Sequence, residues 1–265
     1  QRFNGDIPEV YTSDLNLFSS PTEEMFNLQQ VRFQELLTHC KRYVPYYQKY
    51  LSCVDPAKVC VKDIKDLVPI LSKADVVEHS ERLISQAPFF RNKLRSANTS
   101  GSSGTPLRIF YTDESRRINY RFYEAALVHF GCNYKSKSTT FAGRVLYKDP
   151  GENPARYDFY SKTQYLSSYF ISPATIKHYV DALNYWQPEF IDTYPSSIFE
   201  VIKLAETQQL KFAFSPKCVL TSSETLTNEC RVAIEKAFNT TVIDRCGCTE
   251  MAINAVSVGG DYIAS

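Results

Sequence analysis

The sequence predicts an α/β chain with a largely parallel sheet flanked by helices and preceded by a helical N-terminal region, on three observations. From Leu107 onward, short apolar runs alternate with helical stretches. Before about residue 97 the periodicity is helical alone. Between the two regimes lies a Ser/Gly-rich loop, Asn98 to Leu107. The expected organisation is a helical region over 1–96 packing on an α/β core over 97–265.

In the first region Ser20-Pro21-Thr22-Glu23 offers an N-cap, a proline at the first helical position and a glutamate three residues after the cap. Phe26, Phe33, Leu36, Leu37 and Cys40 then recur at helical spacing, so a long helix should run to Arg42, before Val44-Pro45 interrupts it. Asp63 to Pro69 reads as a short helix with a proline break, and Ser72 caps a further helix to about Leu83. His39, His79, His129 and His178 sit in predicted helices far apart, and a lone helical histidine is ordinarily structural or exposed, so none is assigned a catalytic role.

In the second region Leu107 to Tyr111 reads as a strand, and Thr112 or Asp113 can cap a helix to Phe130, closed by Gly131. Ser138 to Ala142 is the next strand. Lys148 to Asn153 is a turn-rich loop, and the aromatic segment Tyr157 to Phe170 supports a loop or short hairpin. Ser172-Pro173 introduces a helix to Trp186, and Phe190 to Asp192 forms a short strand. Tyr194-Pro195-Ser196-Ser197 leads into a helix over Ile198 to Glu206. Strand Cys218 to Thr221, helix Asn228 to Phe238 and strand Thr241 to Asp244 repeat the rhythm. Such alternation implies right-handed crossovers, with ligands beyond the carboxyl ends of the strands.

Composition excludes some classes of function. The chain's 265 residues with 43% hydrophobic content can bury an ordinary core, so a soluble globule is expected. With 30 Lys and Arg against 29 Asp and Glu there is no single-signed field to attract nucleic acid or an anionic membrane. No apolar run approaches the roughly 20 residues of a membrane span, and the polar start is unlike a signal peptide, so neither a nucleic-acid nor a membrane partner is expected and the location is read as cytoplasmic. The eight cysteines then read as reduced thiols, mostly small core residues. Cys246-Gly247-Cys248 is the one close pair and lacks the partners of a zinc site.

The chemistry-bearing residues lie in the loops. Thr99-Ser100-Gly101-Ser102-Ser103-Gly104-Thr105-Pro106 combines hydroxyl donors with glycines that let backbone N–H groups approach an anion, and reads either as a phosphate cradle or as a flexible linker. It lacks the Lys of a P-loop. Strand topology would bring it into one cleft with Gly143-Arg144, Tyr194 to Ser197, Ser222-Ser223-Glu224 and the loop Cys246 to Glu250. Arg144 could meet an anionic ligand or a surface carboxylate. Tyr194-Pro195-Ser196 serves equally as a helix-entry turn, and Ser222-Ser223 as a strand-to-helix loop. Thr249 adds a hydroxyl, and Glu250 is a hard oxygen ligand for Mg²⁺ on phosphate oxygens. A phosphate cradle with a metal carboxylate suits phosphoryl or nucleotidyl transfer.

Thr99 to Pro106 resembles the phosphate-loop signature of adenylate-forming enzymes, and Asp244-Arg245-Cys246-Gly247-Cys248-Thr249-Glu250 resembles their second signature, aromatic-Gly-x-Thr-Glu. The segments between them, with Val44-Pro45-Tyr46-Tyr47 and Leu67 to Lys73, are similar to the phenylacetate-CoA ligase branch and its capsular-polysaccharide relatives. The resemblance implies that a carboxylic acid attacks the α-phosphate of ATP, releases pyrophosphate, and passes as acyl-adenylate to coenzyme A. It implies that Thr99 to Thr105 wrap the phosphates, Ser222, Ser223 and Glu224 line the adenine pocket with Cys246 and Gly247, Thr249 touches the α-phosphate, and Glu250 holds Mg²⁺. Gly143, Arg144, Tyr194, Pro195 and Ser196 would border the acid. Relatives on that branch are often dimers, which implies a homodimer.

The sequence departs from the family pattern in three places. Cys246 stands where the family has an aromatic residue that stacks on adenine, and Leu107 stands where many relatives have Lys. Nothing up to Ser265 matches the later ribose-binding aspartate, hinge or C-terminal domain with its catalytic lysine. The expectation is therefore the N-terminal portion of such a ligase, without the C-terminal lid domain and weakly active alone, or a non-catalytic nucleotide-binding or interaction module of the same fold.

Overall fold

The computed structural model describes residues 22–90, 93–99, 106–143, 154–251, 254–258 and 262–264. Among these, 22–118 with 249–251 form one compact unit, and 119–248 with the described residues after 253 form another.

The first unit starts with α1 (Thr22–Tyr43), one residue beyond the predicted end. Val44 is extended and Pro45 opens α2 (Pro45–Leu51), because the residue before a proline is pushed out of helical geometry while proline itself suits the first helical position. Phe33, Leu37 and Leu51 make a small core lined by Cys40, Tyr47, Val54 and Val59. Gln30 ties the long helix to the following segment, donating from Nε2 to the Val59 carbonyl (2.6 Å) and accepting from the Val61 N–H (3.1 Å). α3 (Ile64–Leu67) precedes the proline break, and α4 (Lys73–Glu78) carries a capping box between Ser72 and Asp75. α4 stops short of Leu83, where the chain goes on in turns with the His79 carbonyl accepting from Arg82 N (2.9 Å) and Leu83 N (3.0 Å), and the Arg82 carbonyl accepts from Tyr46 N (2.9 Å). β1 (Leu94–Asn98) and β2 (Arg108–Thr112) form an antiparallel hairpin.

α5 (Asp113–His129) follows, and its cap is Thr112: Ser115 N–H donates to Thr112 Oγ1, and Thr112 N–H to Ser115 Oγ, each at 3.0 Å. In the second unit β3 (Ser138–Ala142), β4 (Ala155–Asp158), β5 (Thr163–Ser167), β6 (Phe190–Thr193), β7 (Cys218–Ser222), β8 (Thr241–Gly247), β9 (Asn254–Val258) and β10 (Tyr262–Ala264) build one sheet in the order β10-β9-β8-β7-β6-β3-β5-β4. Its centre, β5-β3-β6-β7-β8, is parallel as predicted. Both margins are antiparallel: β4 returns on β5 as the short hairpin, and β9 and β10 extend beyond β8.

The parallel centre is stabilised by helices α6 (Ile176–Trp186), α7 (Pro195–Thr207) and α8 (Asn228–Phe238). Ile198, Val201, Ile202 and Ala205 on α7 follow helical spacing and are buried in one core with Ile191, Val219 and Val242 from the strands. Each buried aliphatic side chain contributes about 1.5–3 kcal/mol, more than an exposed ion pair such as Lys177–Asp181 at 2.6 Å. α6 begins at Ile176 rather than just after Ser172-Pro173, because Ser172 and Thr175 close a separate turn, with the Ser172 carbonyl accepting from Thr175 N at 3.1 Å.

Candidate functional site

The Ser/Gly-rich segment lies in sequence between the two strands of the β1–β2 hairpin. Asn98 pairs with Arg108, Thr99 N–H donates to the Leu107 carbonyl (2.9 Å), and Leu107 N–H donates to Thr99 Oγ1 (3.0 Å). Thr99 thus closes the root of the loop. Ser100, Gly101, Ser102, Ser103, Gly104 and Thr105 lie outside the described residues. The arginines flanking the loop have protein partners. Arg95 donates to Asp113 through Nε (3.3 Å) and Nη2 (3.1 Å), and these bonds hold the Asp113 carboxyl below its ordinary range and raise the guanidinium. Arg108 donates to Ser96 Oγ (3.4 Å) and stands 5.1 Å from the Phe110 ring centre. Thr249 and Glu250 belong to the same compact unit as this hairpin; both are exposed, in a turn that ends at Met251 with φ 59°.

In the second unit the ends of β3, β6 and β7 bring several expected residues together. Gly143, just past β3, faces the Tyr194 ring: a Cβ on Gly143 would lie 2.7 Å from the Tyr194 hydroxyl oxygen. Tyr169 donates its hydroxyl to the Gly143 carbonyl (3.1 Å), a contact the unpatterned aromatic segment gave no sign of. Arg144 lies outside the described residues. Pro195 opens α7, and Ser196 N–H, one of the helix's unpaired N-terminal donors, donates to Glu224 Oε2 (3.0 Å). Glu224 therefore joins the loop after β6 to the loop after β7. Between them Ser223 adopts φ 69°, a left-handed conformation that costs a residue with a Cβ about 1–2 kcal/mol.

Cys246 and Gly247 are not in a loop as expected. β8 continues through both, because Cys246 pairs with Ala255 and Gly247 with Asn254 in the antiparallel ladder to β9. Both are exposed, and Cys248 starts the connection between the strands. Below this end, Thr221 donates to Asp244 Oδ1 (2.7 Å), and both residues are buried.

Sequence reading missed a polar group beside the same strands. Asn119 of α5 is buried, accepts from Arg245 Nη2 (3.0 Å) and donates from Nδ2 to Asn254 Oδ1 (2.8 Å). The Arg245 guanidinium stands 5.1 Å from the Tyr123 ring centre, and Tyr123 donates to Asp192 Oδ2 (3.4 Å). The available signal was an asparagine in register with the apolar stripe Phe122, Tyr123 and Ala126.

All eight cysteines are free thiols. Cys132, Cys218 and Cys230 are buried as expected, whereas Cys53 and Cys60 are exposed, since each lies in a turn segment outside the helices. Among the described residues no helix is long and apolar enough to cross a membrane. Among them, too, no group of three or more His, Cys, Asp or Glu could hold a metal. The Glu250 carboxylate is exposed.

No family model matches the chain. Over 236 residues it is 29% identical to protein CapK of Staphylococcus aureus, covering 86% of this chain and 51% of that protein. It is similar in structure to an open conformation of 2-hydroxyisobutyryl-CoA ligase in complex with 2-HIB-AMP and CoA, with TM-score 0.64 and 15% identity over 90% of this chain and 58% of that one. The likeness shows that the chain shares the fold of that ligase. The same ligase in its thioesterification state is similar at TM-score 0.63 and 16% identity, over 90% of this chain and 53% of that one. The chain spans about half the length of these relatives.

Proposed function

We propose that this chain supplies the nucleotide- and acid-binding part of an ATP-dependent carboxylate-activating enzyme of the acid–CoA ligase type. The observation that carries the reading is that Thr249 and Glu250, far downstream in sequence, share a compact unit with the hairpin whose loop runs from Thr99 to Pro106. The similarity to CapK and to the ligase crystallised with 2-HIB-AMP and CoA supports it. In this reading the hairpin loop, Ser100 to Thr105 included, binds the ATP phosphates, Thr249 donates to the α-phosphate, and Glu250 would hold Mg²⁺, which would supply positive charge to the phosphate oxygens. Ser222, Ser223, Glu224 and Gly247 border the adenine, and Gly143, Arg144, Tyr194 and Ser196 border the acid. The exposed aromatic side chain of Tyr169 beside Gly143 suits an aryl acid of the phenylacetate type. A homodimer, a cytoplasmic location and a role in capsular polysaccharide synthesis belong to the same proposal.

A binding-only module of the same fold is favoured by Cys246, an exposed thiol at the end of β8 that cannot stack on a base. Pyrophosphate exchange into ATP by the full-length protein, with Mg²⁺ and a panel of aliphatic and aryl acids, decides between the two. Acid-dependent exchange abolished by Glu250→Ala supports the ligase. Saturable MgATP binding with no exchange for any acid supports the module, and no MgATP binding removes both.

A further inference from the structure

The geometry points to Asn119 as a positioning residue that clamps the two roots of the Thr249–Glu250 loop. The loop connects β8 to β9, and the last ladder pairs before it are Arg245 with Val256, Cys246 with Ala255 and Gly247 with Asn254. Asn119 reaches both strands at once: Oδ1 accepts from Arg245 on β8 (3.0 Å), and Nδ2 donates to Asn254 Oδ1 on β9 (2.8 Å). An amide is the one short side chain with a donor and an acceptor side by side, which a two-sided clamp needs.

The clamp is rigid for three reasons. Asn119 and Asn254 are 5% and 3% exposed, so water does not compete for their bond. Asn119 sits inside α5, whose backbone is fixed by helical bonds. Arg245 is held from a second side by the Tyr123 face, and Tyr123 by Asp192. Gly247, the exposed last residue of β8, leaves that strand end free to bend without such a clamp. Asn119 itself touches neither phosphate nor metal; it fixes the two points from which the loop leaves the sheet.

The catalytic consequence rests on the ligase reading, so the test has one arm that does not. Hydrogen exchange of the full-length protein without ligand is followed in peptides covering 244–247 and 254–257, for the wild type, Asn119→Leu and Asn119→Asp. Asn119→Leu keeps the branched outline of four heavy atoms and removes both bonds. Asn119→Asp keeps both, because its carboxylate accepts from Arg245 and from the Asn254 amide turned over to donate. The expected result is exchange roughly ten-fold faster in Asn119→Leu in those peptides alone, with β6 and β7 unchanged and Asn119→Asp close to wild type. Unchanged exchange in Asn119→Leu, or equal acceleration in every strand, overturns the clamp. If Asn119→Leu does not fold, Asn254→Ala replaces it with the same two outcomes. In the second arm Asn119→Leu raises KM for MgATP in pyrophosphate exchange by about ten-fold, while KM for the acid stays within about two-fold. Equal change in both constants overturns the positioning role. A wild type without exchange sinks the ligase reading, and the first arm then decides the clamp by itself.

Discussion

Gly143 lies so close under Tyr194 that the first carbon of any other side chain would meet the tyrosine hydroxyl oxygen at 2.7 Å and its ring at 3.1 Å. The nearest atom belongs to the far end of a side chain, so the ring can swing aside and the backbone need not move. Gly143→Ala should therefore change unfolding free energy by less than about 1 kcal/mol in urea titration while displacing Tyr194. Tyr194→Phe removes the closest atom, and the two changes should be non-additive in a double-mutant cycle. If the ring borders the acid as proposed, KM for the acid rises in Gly143→Ala and KM for ATP does not. Additive effects on acid affinity would separate Gly143 from Tyr194 in function.

The hydroxyl of Thr221 donates to Asp244 across β7 and β8 in a buried site. Thr221→Val has almost the same shape, so it isolates the loss of that donor to a carboxylate. The expected cost is about 1–3 kcal/mol, read as a lower urea midpoint with an unchanged slope. Thr221→Ser keeps the donor and removes only a methyl group, with an expected cost of about 1 kcal/mol. Equal destabilisation by the two variants would show that packing rather than the hydrogen bond matters there.

The elements legible in the sequence were those whose own side chains state the period. α8 and β3 fall where the apolar spacing puts them, whereas α7 begins at Pro195, three residues before the expected Ile198. What escaped depends on partners remote in sequence. β1, with Arg95 and Ser96 exposed, has no core pattern of its own and exists because β2 pairs with it in full register. β8 outruns its predicted end because β9, which was not foreseen, pairs with Cys246 and Gly247. Asn119 was invisible for the same reason: its partners are 126 and 135 positions away, and a single asparagine on an apolar stripe carries no address.

Thiol accessibility follows from the same placement. Cys53, Cys60 and Cys246 are exposed, while Cys132 and Cys218 are buried, and burial pushes the Cys230 thiol up to about 11. Alkylation of the native protein by iodoacetamide near pH 8, followed by mass spectrometry, should modify the three exposed thiols first and Cys132, Cys218 and Cys230 only on unfolding. If Cys246 lies against bound nucleotide, MgATP protects it and leaves Cys53 and Cys60 unchanged. Rapid native labelling of Cys230 would contradict its burial.

At the opposite end of the parallel strands Glu189 joins three loops. Its carboxylate accepts from Lys217 Nζ (2.9 Å) and from Lys137 N–H (3.1 Å), and Lys217 also donates to the Gly131 carbonyl (2.9 Å). The Lys217 bond, then the Lys137 bond, hold the Glu189 carboxyl below the ordinary glutamate range, and Glu189 raises Lys217 above the ordinary lysine range. A carboxyl lowered by folding contributes its full stabilisation above the unfolded value, about pH 4.3, and loses it as pH falls through the folded value. A lysine raised by folding does the reverse: its contribution is complete below about pH 10.4 and lost as pH climbs through the folded value. Both groups are partly open to solvent, so Glu189→Gln should cost about 0.5–1 kcal/mol at pH 7, measured by urea unfolding, with the difference from wild type shrinking below pH 4. Salt should narrow it less than it narrows an ion pair such as Lys177–Asp181, because the Lys137 N–H bond to Glu189 is fixed by the backbone. A Glu189→Gln variant that kept the full wild-type acid dependence would show that other carboxylates govern the low-pH limb.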